Sequence, residues 1–91
     1  MNKQTRKQLA ELRDEVDSLK SQLLDFSEQV QEIRDEEDDK YYNLPDSLQE
    51  SKVGKTIMEG EESLDEIIYN FEQVESEFDT LLESFEELIG S

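Results

Sequence analysis

From Leu9 to Ile33 the apolar residues Leu9, Leu12, Val16, Leu19, Leu23, Phe26, Val30 and Ile33 are separated by steps of three and four in strict alternation. Only a helix gathers such a set on one stripe, and an unbroken run of it is a heptad seam that must meet another helix. No glycine or proline interrupts the run, and the alternation of a strand is absent. With Leu9 as position a, the e column reads Arg6, Arg13, Lys20, Ser27 and Arg34, so basic charge flanks the seam on one side. Outer positions carry Asp14, Asp25, Glu28, Glu32 and Asp35.

This first arm closes on Asp35-Glu36-Glu37-Asp38-Asp39. A calcium loop of the EF-hand type needs a glycine at its sixth position and a Glu at its twelfth. Counted from Asp35, those positions hold Lys40 and Asp46. The run therefore reads as a solvated acidic helix end. Carboxylates there oppose the helix dipole, which predicts fraying.

A second seam follows in Val53, Ile57, Gly60, Leu64, Ile67, Phe71, Val74, Phe78, Leu81, Phe85 and Leu88, again in steps of four and three. Gly60 lies on it and Gly54 beside it, and each costs about 1 kcal/mol in a helix interior. A seam glycine suggests close approach of another helix, room for a large residue opposite, or a slight bend. With Ile57 as a, the e column is Glu61, Ile68, Glu75, Leu82 and Ile89, so the stripe is wider than one partner helix needs. Ile68, Leu82 and Ile89, with Leu24 on the first arm, are the expected oligomer face. Gly90 follows the last apolar residue, as a C-terminal cap does.

Between the arms lies Tyr41-Tyr42-Asn43-Leu44-Pro45-Asp46-Ser47-Leu48-Gln49-Glu50-Ser51, with the chain's only proline. Proline disfavours the helical region for Leu44 and suits the first turn of a new helix. Ser47 and Glu50 have the spacing of a capping box. The expected organisation is a single hairpin over 1–91, with a helix at about 5–40, a turn at about 41–47 and a helix at about 48–89. Tyr41 and Tyr42 then pack at the tip, or offer a partner an exposed aromatic contact. The stretch Tyr41 to Ser51, followed by Gly54, resembles a turn in small acidic helical-hairpin proteins of bacteria and their phages, with the core aromatic-x-Asn-Leu-Pro-x-Ser-Leu-Gln-x-Ser-x-x-Gly. The resemblance covers about a dozen residues; it implies two charged helices joined by this turn and a bacterial or phage setting, and it carries no activity.

Folded at Pro45, the arms pair residues whose numbers sum to about 90, such as Ile33 with Ile57, Val30 with Gly60, Phe26 with Leu64 and Leu19 with Phe71. That register brings Glu75 near Arg13 and Lys20, Glu61 near Arg34, and Lys3, Arg6 and Lys7 toward Glu83, Glu86 and Glu87. The fold class is all-α, an antiparallel two-helix coiled-coil hairpin. One hairpin leaves half of each seam in water, so two hairpins making a four-helix bundle are expected.

Function has to be read from charge. The chain of 91 residues has a net charge of −17, from 26 acidic and 9 basic residues, and no Cys or His. Thiolate chemistry, disulfides and Glu-x-x-His di-iron sites are thereby excluded. No nucleophile sits beside a base in a recognisable motif, so no enzyme, cofactor or metal is expected. Direct contact with nucleic acid or an anionic membrane is disfavoured, and a basic protein surface is favoured. Neither a signal-peptide core nor a transmembrane length of apolar residues occurs, which points to a cytoplasmic protein. From Glu59 onward there are twelve acidic residues and no basic one. The candidate partner-binding face is Glu59, Glu62, Asp65, Glu66, Glu72, Asp79, Glu83, Glu86 and Glu87. A nucleic-acid mimic that occupies the groove of a nucleic-acid-binding protein is its sharpest form. The alternatives are a scaffolding coiled coil, in which acids only confer solubility, and a small regulator that docks a partner's helix on its apolar face.

Overall fold

The computed structural model describes residues 1–91 and contains helices α1 (Lys3–Tyr42), α2 (Asp46–Gln49) and α3 (Lys52–Gly90), with no strand. It is an all-α structure in which two long helices pack antiparallel. The acidic run Asp35–Asp39 lies inside α1, which continues to Tyr42. A cation in the last turn opposes the expected fraying: Lys40 Nζ donates to Glu37 Oε1 at 2.7 Å.

The tip is more elaborate than a turn at proline. The amide of Leu44 bonds the Tyr41 carbonyl at 3.1 Å and closes α1. Pro45 then starts α2, and its carbonyl accepts from the amides of Leu48 at 2.8 Å and Gln49 at 3.1 Å. Gln49 Nε2 reaches back to the Leu44 carbonyl at 3.1 Å. The Ser51 hydroxyl donates to the Leu48 carbonyl. The Ser51 carbonyl in turn accepts from the Lys55 amide at 3.0 Å, starting α3. No side chain caps α2, so the Ser47–Glu50 capping box does not form, and the second long helix begins at Lys52.

Gly54 explains why these pieces fit. It is the only buried residue. A Cβ there would lie 2.0 Å from the Gln49 carbonyl oxygen and 2.6 Å from its carbon. The one-turn helix α2 therefore lies directly on the first turn of α3. Gly60 is different: nothing in the chain comes within 4 Å of the corresponding Cβ position, so neither close approach nor a large neighbour accounts for it.

Contacts divide the chain into two compact units, Met1–Asp25 with Phe71–Ser91 and Phe26–Asn70. In the first, Arg13 pairs with Glu86 at 3.0 Å, Lys20 with Asp79, and Arg6 donates to the Ser91 carbonyl. In the second, Arg34 pairs with Asp65 at 3.0 Å and Glu61 at 3.9 Å. The pairing of Arg34 with Glu61 agrees with the sequence reading, but the register does not. Paired numbers sum to between 95 and 99 in place of about 90. The chain spends residues 43–51 at its tip, and α3 enters correspondingly later.

The packed columns also differ from those expected. Between Leu9 and Arg34 the half-buried positions on α1 are Ala10, in column b, and Leu9, Arg13, Val16, Lys20, Leu23, Ser27, Val30 and Arg34, which are columns a and e. On α3 they are Ile57, Glu61, Leu64, Ile68, Phe71, Glu75, Phe78, Leu82, Phe85 and Ile89, again columns a and e. Ile68, Leu82 and Ile89, expected on an oligomer face, are half-buried in the hairpin's own seam, while Leu24 is exposed in the b column. The α1 e column decides this. The stems of Arg13, Lys20 and Arg34 lie along the seam while their head groups reach the acids of α3, and the aliphatic e residues of α3 widen the apolar surface facing α1. No hydrophobic residue is fully buried.

Two substitutions separate the two glycines. Gly54→Ala forces α2 off α3 and is expected to destabilise the fold by about 1–3 kcal/mol, as overpacking does. Gly60→Ala meets open space and is expected to stabilise by about 1 kcal/mol through helix propensity. Thermal unfolding followed by circular dichroism reads both signs, and equal effects at the two sites would refute the assignment.

Candidate interaction surfaces

The nine carboxylates of the candidate acidic face fall into two groups. Asp65, Asp79 and Glu86 occupy the b column of α3, where the α1 bases reach them, and they are engaged within the chain. Asp79 in turn holds the Lys20 ammonium above its usual range, chiefly through their hydrogen bond. Glu59, Glu62, Glu66, Glu72, Glu83 and Glu87 are exposed and make no ion pair. They lie on α3 between Lys52 and Gly90, which carries no base after Lys55. Neighbours three and four apart on a helix stand about 5–6 Å from one another.

Glu61 is the exception among the acids. Its side chain is only 13% exposed, and its Oε1 is buried without a hydrogen-bond partner. Burial pushes its carboxyl above the ordinary carboxylate range, and the charge of Asp38 adds to this. Arg34, 3.9 Å away, pulls the other way, but its guanidinium makes its closest contact with Asp65. Burial therefore wins.

Opposite the ion pairs, column d is exposed along both long helices. In the unit Met1–Asp25 with Phe71–Ser91 it consists of Leu12, Leu19, Val74, Leu81 and Leu88; Leu19 is 52% exposed and Leu81 45%. In the unit Phe26–Asn70 it consists of Phe26, Ile33, Val53 and Ile67, with Phe26 54% exposed. The twofold axis that relates two antiparallel helices stands normal to their plane, so equal columns fall on the same face. Each unit therefore presents an apolar face built from both helices.

The bordering g column contains Gln8, Gln22, Gln29, Thr56, Ser63, Asn70 and Ser84, with Glu15, Glu36 and Glu77 as its charged members. Acids concentrate instead in columns b, c and f, away from this face. The heptad spacing alone places the d residues in the hairpin's interior. The signal that could have placed them outside is the pair of e columns, one basic and one largely aliphatic, which complement each other across the seam.

At the tip, Tyr41 is half-buried and Tyr42 is 70% exposed, with their rings edge to face at 5.4 Å. No group of three or more His, Cys, Asp or Glu side chains is placed to hold a metal ion. No helix is long and apolar enough to cross a membrane. Comparisons with protein-family models, curated proteins and solved structures find no match.

Glu61 generates a pH prediction. A carboxyl whose folded pKa is raised contributes most to stability below its unfolded pKa, and that contribution is lost as pH rises through the folded value. Glu61→Gln removes this loss. The variant is expected to melt higher than the parent at neutral pH, with the gain shrinking as pH falls toward 4, near the unfolded pKa of about 4.3. Melting curves across that range check it; a lower melting temperature at neutral pH would mean that the pair with Arg34 dominates.

Proposed function

We propose that the chain is a non-catalytic, acidic protein-interaction module that takes a basic surface of a partner protein and works as self-associated hairpins in a four-helix bundle. Competition with nucleic acid for an Arg/Lys groove is the sharpest form of this reading. The observation that carries it is the division of labour among the carboxylates of α3. Asp65, Asp79 and Glu86 are held by α1, while Glu59, Glu62, Glu66, Glu72, Glu83 and Glu87 face water without a counter-charge. Unpaired carboxylates on a rigid helix meet a cationic groove without first breaking internal ion pairs. Attraction of this kind steers encounter over long range and weakens with salt.

The expected assay outcome is displacement of labelled duplex DNA from a basic DNA-binding protein, fading as salt is raised. Replacing all six free glutamates by Gln should weaken displacement by about tenfold or more, with helicity retained. Displacement that survives this replacement would support a scaffolding coiled coil, whose acids act only in solubility.

A further inference from the structure

We infer that the apolar d-column face takes a second copy of this chain. This deepens the self-association within the proposed function and rests on that part of it alone, independent of the acidic surface.

Two observations select a second copy over another occupant. First, the face is built from the same heptad column on two antiparallel helices, so its two halves are related by a local twofold. A surface of that kind can meet its own copy, as an isologous interface requires. Second, its charge suits a like-charged partner. Columns b, c and f hold most of the acids, whereas the border is largely Gln, Ser, Thr and Asn. Two copies can therefore meet with few carboxylates opposed. A basic helix would gain most from acids at the border, and there they are sparse. Relief is present as well: Val74, Phe78 and Leu81 border a shallow groove with Glu77 at its edge, of the kind that receives a ridge of side chains from a facing helix.

The test uses the full chain. Native mass spectrometry and sedimentation should find a dimer or higher even-numbered assembly. Leu19→Gln combined with Leu81→Gln should convert it to monomer while leaving the seam residues intact. Because a hairpin without a buried core could unfold when uncovered, a second readout avoids that dependence. The chain has no cysteine, so a thiol introduced by Leu81→Cys reports burial directly. It should react with a maleimide several-fold more slowly at high protein concentration than at low. A thiol introduced by Ser76→Cys, on the opposite face, should react at one rate throughout.

A fully helical monomer at all concentrations would overturn the inference and leave the face to a different protein. Equal, concentration-independent reactivity at both sites in an assembled protein would also overturn it, because the copies would then meet elsewhere. The six-glutamate variant distinguishes this inference from the acidic-surface reading: it should remain assembled even where displacement of DNA is lost.

Discussion

The contact of Gly54 with the Gln49 backbone is the constraint on which the rest of the tip depends. A side chain at position 54 would occupy the space of the Gln49 carbonyl, so α2 can lie on α3 only over glycine. With α2 in place, Gln49 ties down the Leu44 carbonyl and Ser51 the Leu48 carbonyl. The spacing between the end of α1 and the start of α3 is thereby set, and with it the register in which Arg34 finds Asp65 and Glu61. A turn motif of about a dozen residues thus acts on packing well beyond its own length. Gln49, Ser51 and Gly54 of that motif have structural work in the tip, which gives them a role without any ligand.

The heptad pattern supplies more apolar positions than a two-helix seam can use, and charge decides which are used. Column a is shared. Column e goes inward because Arg13, Lys20 and Arg34 can lay their stems on the seam while pairing with α3 acids that the d column could not reach. Column d is then left to water in each unit. Counting apolar residues cannot distinguish these arrangements, since columns d and e both flank column a. The ion pairs themselves are exposed and individually weak; their weight lies in choosing between two packings of otherwise similar apolar content.

Much of the fold was legible in the sequence, and the reasons are particular. The uninterrupted three-four spacing from Leu9 to Ile33 demanded a helix with a helical partner, and Pro45 demanded a break. The register was not legible, because the close approach of Gln49 to Gly54 is a tertiary contact that local rules do not contain. Gly60 drew attention for lying on the seam, yet the glycine with a steric reason was its neighbour Gly54. Of the candidate surfaces, exposure of the α3 acids could be anticipated from their columns. The engagement of Asp65, Asp79 and Glu86 required the true register, and so did the packing of Ile68, Leu82 and Ile89 against α1.

The two proposed surfaces respond oppositely to salt, and this links them physically. Attraction to a basic groove acts through exposed charges and fades once the screening length falls to about 10 Å near 0.1 M. Bringing two chains of net charge −17 together is opposed by the same field, so screening favours the apolar contact while it weakens the acidic one. Placing the acids in columns b, c and f lowers the repulsion between copies and turns the carboxylates outward on the pair. Covering column d would therefore stabilise the helices and concentrate the acidic surface in one step. The border around column d, where Glu15, Glu36 and Glu77 stand among uncharged polar residues, is the feature that would let so acidic a chain meet its own copy on this face.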